Sequence, residues 1–340
     1  MSDDSHAPGV KQPRMLAVGD IISDAFIELN KDSVQVYTDE NGTKRLSFEL
    51  GAKLPYDRVD IVEAVECSPN AAVSMSRLGL DVSLMSWFGD DEPGKGITTY
   101  LKGQGVHTDE LVVENGKKTN YHYVLRYGPD RTKFQHFEDY SYEWHAPKRH
   151  PDWLYLGVLG EKTWPLHEGM LHYLQSNPDI KLAFQPGMYH LMWGPEKLRG
   201  YYARTEVVIL NREEAVTVTG GNHDDVHDLI NRLHELGPKV VVVTDGPAGA
   251  YVSDGQRRLK MPLYPDPDEP LDRTGAGDAF ASTFVAALAM GHDLESALQW
   301  APINSMSVCQ KMGAQAGLLT EDELERWLKK APDWYRAEKF

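Results

Sequence analysis

Cysteine is nearly missing from this chain: only Cys67 and Cys309 occur in 340 residues, far apart and with no Cys-x-x-Cys spacing. That scarcity excludes a disulfide framework and a thiolate zinc site, and it fits a reducing cytoplasm. Long apolar runs are absent too. No stretch reaches the roughly 18 residues that a membrane-spanning helix needs, and the polar opening Met1 to Pro13 has no apolar region of a secretion signal. Basic charge is in deficit, with 35 Lys and Arg against 51 Asp and Glu, a net charge of −16 and a pI near 5.2. A surface so acidic opposes a long polyanion, so nucleic acid is an unsuitable partner, while a small anion such as ATP needs only a local site. Several catalytic strings are missing as well. No Gly-x-Gly-x-x-Gly follows the first strand, where Gly19-Asp20-Ile21-Ile22-Ser23-Asp24 stands instead, and no Gly-x-x-x-x-Gly-Lys-[Ser/Thr] exists. The 13 histidines show no His-Glu-x-x-His or other ligand spacing, which argues against catalytic zinc.

What is present reads as a large α/β protein. With 41% hydrophobic residues, 340 residues suit one core with a small appendage. Apolar runs at Met15–Asp20, Val82–Trp87, Trp153–Gly157, Lys181–Gln185, Val207–Leu210, Val240–Thr244 and Gly249–Val252 predict strands, with helical patterns such as Ala71–Leu78 between most of them. That alternation predicts a largely parallel sheet covered on both faces. Two regions break the rhythm, 34–65 and 111–144, where polar and apolar residues alternate, as in Lys118 to Arg126. They read as antiparallel hairpins turning near Asn41-Gly42 and Gly128-Pro129-Asp130.

The most informative string is Asp272-Arg273-Thr274-Gly275-Ala276-Gly277-Asp278-Ala279-Phe280, which runs into the apolar stretch Ala281 to Leu288. Gly275 and Gly277 let backbone approach an anion, and the unpaired N–H groups of a helix start point at it. A carboxylate at Asp278 would be repelled by a resting phosphate. Its placement makes sense if it takes a proton from a hydroxyl that attacks phosphorus. An Asp near a helix N-terminus is also a favoured cap in its own right.

This string resembles the C-terminal signature of the ribokinase-like (PfkB) carbohydrate and nucleoside kinases, and every defined position matches. The resemblance implies a three-layer α/β/α ribokinase-like core with a mostly parallel sheet, spanning about 14–335 after a loose tail 1–13. It adds a small β-sheet lid from 34–65 and 111–144. It further implies an anion hole at Gly275, Ala276 and Gly277, with Asp278 as base, and a K⁺ site near Asp272, the Thr274 backbone and Gly313. Other segments follow in the family's order. Asp24 matches a residue that binds acceptor hydroxyls, and Asn70, before Ala71 to Gly79, matches a sugar contact, although an Asn there is also a good N-cap. Asn211 and Glu214 in Asn211-Arg212-Glu213-Glu214 resemble the pair that holds Mg²⁺ through water, and equally a helix-capping pair. Thr244, Gly246 and Gly249 resemble the nucleotide-site turn, and Asn304 falls on the helix that lines the adenine pocket.

Departures from the family pattern bear on the acceptor. Val65 and Glu66 stand where relatives carry a Gly-Gly hinge, and Gln185-Pro186-Gly187-Met188-Tyr189 lacks the Arg that meets an anionic sugar. Tyr121, Tyr123 and Phe134 are available to stack on a sugar or base, or to pack on a core. The resemblance therefore implies an ATP-dependent kinase acting on a neutral small-molecule sugar, with a nucleoside as the alternative acceptor, Mg²⁺ and K⁺ as ions, and a homodimer formed through the lid. A non-catalytic sugar-binding or nucleotide-binding regulator on the same fold would predict damage in the Asp278 string, which is intact.

Overall fold

A computed structural model describes residues 12–128 and 130–340. Most of the expected tail, and Pro129 of the second expected turn, lie outside the described residues. The central sheet has ten strands. They run in the order Glu338–Lys339, Arg258–Met261, Ala250–Ser253, Val240–Thr244, Thr205–Asn211, Lys181–Phe184, Trp153–Leu156, Arg14–Val18, Asp81–Gly89 and Leu111–Glu114. Pairing is parallel from Leu111–Glu114 across to Val240–Thr244 and antiparallel beyond it. The cause is visible in the strands themselves. Val240–Thr244 reads Val-Val-Val-Val-Thr, β-branched and buried at its centre, as a strand covered on both faces must be. In Arg14–Val18 the period of two sends Met15 and Ala17 into one core layer and Leu16 and Val18 into the other. Helices therefore cover both faces, which is the three-layer core that the sequence resemblance implies.

Helix Ala276–Ala289 is deeply enclosed. Ala279 through Ala287 are all buried, and the helix packs against Cys67–Arg77 and Leu294–Cys309. A helix that is apolar all round belongs in an interior, so its start is anchored as rigidly as the chain allows.

A second sheet of four strands forms the lid, in the order Tyr56–Val65, Ile22–Leu29, Asn120–Tyr127 and Asp130–Phe134. Gln35–Thr38 and Lys44–Ser47 make a separate hairpin whose turn is fastened by Asp39 Oδ1, which accepts from the Asn41 and Thr43 amides. Two boundaries differ from the sequence expectation. The lid also takes in Ile22–Leu29, outside the expected 34–65, because the chain leaves the large sheet at Gly19–Ile21 and runs into a strand paired with Tyr56–Val65 and Asn120–Tyr127. Leu111–Glu114, expected in the lid, is an edge strand of the large sheet, paired in parallel with Asp81–Gly89. Its half-exposed alternation is what any edge strand shows. The last strand, Glu338–Lys339, also extends the sheet past 335.

The packing of the enclosed helix is testable. Phe284 is fully buried, so Phe284→Ala is expected to cost about 3–5 kcal/mol. A urea titration should show a lower midpoint with an unchanged slope, and an unshifted midpoint would contradict the assigned core.

Candidate functional site

The residues singled out in the sequence gather at the carboxyl ends of the parallel strands, where open α/β sheets build their sites. Asp20 follows Arg14–Val18, Gln185 follows Lys181–Phe184, and Asn211 and Thr244 end their own strands. Helix Ala276–Ala289 starts in the same place. Its N-cap is Gly275, at φ +80° and ψ 0°, and no side chain caps it. Only glycine fits there: an ideal Cβ on Gly275 would stand 2.4 Å from the Ala314 Cβ. The Ala276 amide makes one long 3.4 Å turn bond to Arg273 O, and no acceptor for the amides of Gly277 and Asp278 is found among the described residues. A Cβ built on Gly277 meets nothing within 4 Å, so open space lies in front of these donors. Free amides facing open space at the positive end of a long helix make an anion site.

Asp278 sits in the first turn of that helix, held by two amide side chains. Asn70 Nδ2 donates to Oδ2 at 2.8 Å and Gln185 Nε2 donates to Oδ1 at 3.3 Å. Each donor is itself fixed from behind. Gln315 Nε2 donates to Asn70 Oδ1 at 2.9 Å, while Tyr155 OH and the Cys67 thiol both donate to Gln185 Oε1. Among the described residues no cation touches the carboxylate. Burial, opposed by the Asn70 bond and reinforced by the Glu66 charge, pushes the Asp278 carboxyl up to about 6. A base with that value is ionised at neutral pH yet ready to accept a proton.

On one side of Asp278 lies a cleft of about 180 Å³, lined by Asp24, Phe26, Glu66, Asn70, Lys133 and Thr274 among others. Asp24 is buried and faces the Lys133 ammonium at 3.3 Å, but its Oδ1 has no well-directed hydrogen bond. Burial raises its carboxyl, with Lys133 opposing. His122, beside it on the lid, is fully buried with neither ring nitrogen bonded, and burial holds it down at about 4, neutral at pH 7. A buried carboxylate oxygen with an ion-pair contact but no well-directed hydrogen bond has capacity for a further donor. The N-cap expected at Asn70 is instead Glu66, because the helix begins at Cys67 and Asn70 lies inside it. Glu66 has φ +119°, a glycine-like conformation held by a glutamate at the place of the missing hinge glycines. Its Oε2 lies 3.7 Å from Lys133 Nζ.

On the other side lies a cleft of about 200 Å³. Thr244, Gly246, Gly249, Ala276 and Gly277 line it as the sequence led us to expect, together with Arg273, Phe280 and Met306. Gly249 is obligatory there, since at φ +93° an added Cβ would come 2.1 Å from Met261 O. Asn304 is a correction. It is fully buried and spends its amide inside the core, donating to Thr283 Oγ1 at 2.8 Å and accepting from the Leu319 amide at 2.9 Å. Its neighbours Pro302, Ser305 and Met306 line the cleft instead, a shift of helix phase that the sequence does not reveal.

Asn211 and Glu214 form a complete capping box. Asn211 Oδ1 accepts from the Glu214 amide at 2.8 Å, and Glu214 Oε2 accepts from the Asn211 amide at 2.9 Å. Burial, Glu213 and Asp278 raise the Glu214 carboxyl, so its charge is felt at the reaction centre. An amide oxygen and a carboxylate on one helix start, within electrostatic reach of another carboxylate, have lone pairs left for a hydrated divalent cation. The loop Asp272–Thr274 and Gly313 are also brought together. Asp272 Oδ1 accepts from the Thr274 amide and hydroxyl, and Oδ2 accepts from the Gly313 amide at 3.1 Å.

Several residues were not legible as functional. Arg131 and Lys133 stand two apart on Asp130–Phe134 and therefore reach down from the same face of the lid. The aromatics Tyr121, Tyr123 and Phe134 occupy the opposite face. Tyr123 and Phe134 are more than half exposed, and none of the three lines either cleft, so they neither stack on a ligand nor fill a core.

Residues 68–321 match the model of the pfkB family carbohydrate kinases. The chain is 26% identical over 281 residues to the 5-dehydro-2-deoxygluconokinase of Halalkalibacterium halodurans, covering 77% of this chain and 84% of that one. It is 28% identical over 276 residues to the ribokinase of Bacillus subtilis, covering 76% and 85%. Among solved structures, the nucleoside kinase of Methanocaldococcus jannaschii, a ribokinase-family member, superposes with a TM-score of 0.77 at 19% identity over 95% of this chain and 100% of that one.

The environment of Asp278 predicts its titration. A carboxyl ¹³C shift, assigned by its loss in Asp278→Asn, should show a midpoint near 6. Gln185→Met removes a donor to the ionised form and should raise that midpoint by up to about one pH unit. A midpoint at the ordinary carboxylate value of about 4 would contradict the geometry.

Proposed function

The chain belongs to the pfkB family of carbohydrate kinases, which are phosphotransferases with hydroxyl acceptors, and on that premise we propose that it transfers the γ-phosphoryl group of ATP to a hydroxyl of a neutral sugar. The observation that carries this reading is a shared wall. Ala276 and Gly277 line one cleft, Asp278 lines the other, and all three belong to one helix turn. A nucleotide in the first cleft and a sugar in the second would meet there.

In this reading Asp24 Oδ1, buried and without a well-directed hydrogen bond, accepts from acceptor hydroxyls, which fixes the sugar so that one hydroxyl faces Asp278. Asp278 takes the proton as that oxygen attacks phosphorus, and the free amides at the helix start face the charge that builds on the phosphoryl oxygens. Gly246 and Gly249 keep the opposite wall bare enough for the nucleotide, and Arg273 lends positive charge at its phosphate end. Kinases of this family use ATP with Mg²⁺. Asn211 and Glu214 would hold the ion, which when bound neutralises the β- and γ-phosphates.

A neutral acceptor follows from charge. Asp24, Glu66 and Asp278 place three carboxylates around a cleft whose one lining cation, Lys133, is already engaged by Asp24 and Glu66. An anionic sugar would find no free cation among these residues. A nucleoside is the weaker alternative, because Phe26 is the one aromatic among the cleft residues and the lid aromatics face outward. A cytoplasmic setting fits two buried free thiols, and no helix of the described residues is long and apolar enough to cross a membrane.

The outward face of the lid also supports a homodimer. Val59, Ile61, Tyr123 and Phe134 sit exposed on one face of one sheet, joined by register pairs such as Tyr123 with Phe134. A second copy of the same face covers such a patch by two-fold symmetry.

The kinase reading predicts ADP release, above the water background, with at least one member of a panel of neutral pentoses, hexoses and nucleosides. Asp278→Asn should lower kcat about 100- to 10,000-fold while ATP still binds, and wild-type kcat/KM should fall tenfold per pH unit below about 6, where the base becomes protonated. Near-normal turnover in Asp278→Asn would remove the base assignment. For the dimer, light scattering should give twice the chain mass, and Ile61→Asp with Tyr123→Glu should return it to one chain with catalysis largely kept. A wild-type monomer would refute that contact.

A further inference from the structure

The resemblance to the family implies a monovalent metal ion beside Asp272, Thr274 and Gly313, and the atoms at that place fit one poorly. A potassium ion needs a ring of oxygen ligands replacing its hydration shell. Here the Gly313 segment presents an N–H, donated to Asp272 Oδ2 at 3.1 Å. The other carboxylate oxygen already receives the Thr274 amide at 3.0 Å and the Thr274 hydroxyl at 2.7 Å. A cation of a different kind is present as well. The Arg131 guanidinium places Nη1 3.2 Å from Asp272 Oδ1 and bonds the Thr274 hydroxyl oxygen with the same nitrogen.

We propose that Arg131 is a built-in cation that takes the place of the monovalent metal ion. Delivered by the lid, it holds the loop that leads into the catalytic helix start.

The route from Arg131 to the reaction centre is short. Thr274 precedes Gly275, the uncapped N-cap whose left-handed backbone aims the free amides of Gly277 and Asp278 into the clefts. Fixing Asp272 and Thr274 therefore fixes the direction of the anion hole. A guanidinium suits this post because its planar fork can bond a carboxylate and a neighbouring hydroxyl at once and keeps its charge at any working pH. Position on the lid adds a consequence that a soluble ion cannot supply. On the same strand and the same face, Lys133 meets Asp24 and Glu66 in the acceptor cleft. One strand thus carries one cation to the acceptor subsite and another to the loop before the base, so lid placement over an acceptor and ordering of the anion hole occur together. Arg131 lines neither cleft and acts as a positioning residue.

The rate arm of the test rests on the kinase reading, and the stability arm does not. At fixed ionic strength, ADP release by the wild type should be the same within about twofold in K⁺, Na⁺ and tetramethylammonium chloride. Arg131→Met, which keeps the apolar stem, should lose about 10- to 100-fold in kcat in tetramethylammonium, as expected for a lost charge-assisted bond. Millimolar guanidinium should restore much of that loss and K⁺ little of it, and Arg131→Lys should stand between the two proteins. Without any substrate, Arg131→Met should melt below the wild type, millimolar guanidinium should narrow that gap, and K⁺ relative to tetramethylammonium should leave both melting temperatures unchanged. Strict K⁺ dependence of the wild type, in rate or in melting temperature, would overturn the proposal. So would an Arg131→Met protein as fast as wild type in tetramethylammonium, or one that melts with the wild type. Should no acceptor be turned over in any salt, the kinase reading fails while the melting experiment still decides the role of Arg131.

Discussion

One carboxylate sets the terms for the rest of this molecule. Asp278 is held between two clefts by neutral amide donors from Asn70 and Gln185 and by no cation, and burial lifts it to about 6. Such a group works against the fold at neutral pH. Its folded value lies above its unfolded one, so its contribution to stability is full below the ordinary carboxylate range and is lost as pH rises through about 6. The surrounding structure offsets that cost by rigidity: an enclosed apolar helix behind the carboxylate, and Gln315, Tyr155 and Cys67 behind the two donors. A metal or lysine beside Asp278 would stabilise the charge and spoil the base.

The lid follows the same economy of charge. Lys133 and Arg131 use the period of two in a single strand to reach Asp24 with Glu66 and Asp272 with Thr274, while Phe134 on the other side of that strand joins the exposed outer face. Each cation is engaged by carboxylates before any ligand arrives. What is left unbonded is Asp24 Oδ1 and the amides of the helix start, an acceptor of hydroxyl protons and a set of donors to phosphate. Glu66 adds strain to this arrangement, since its φ of +119° is one that glycine would adopt freely.

Contiguous chemistry was legible in the sequence and distributed chemistry was not. Asp272 to Phe280 carries its glycines, its base and its apolar helix in one run, so the helix start could be read before any fold was known. Strands such as Val240–Thr244 announce themselves by β-branched burial. Asn304 misled because neighbouring helix positions differ by about 100° in direction, which decides between a cleft and a core. The role of Gln185 depends on Asn70 and Asp278, which lie far from it in the chain. Arg131 and Lys133 look like ordinary polar residues of a hairpin until the lid is folded over the loop they reach. Ile22–Leu29 lay outside the expected lid because its own residues do not tell which of two sheets it joins, and only pairing with Tyr56–Val65 and Asn120–Tyr127 decides that.

In the kinase reading, nucleotide and acceptor meet across the first turn of helix Ala276–Ala289. A crystal structure with Mg²⁺ and the non-hydrolysable nucleotide AMP-PNP tests it without knowledge of the acceptor. The account predicts the γ-phosphate against the amides of Ala276, Gly277 and Asp278, with the adenine toward Phe280 and Met306. Adenine seated instead in the Asp24 cleft, or a γ-phosphate remote from that helix start, would contradict it.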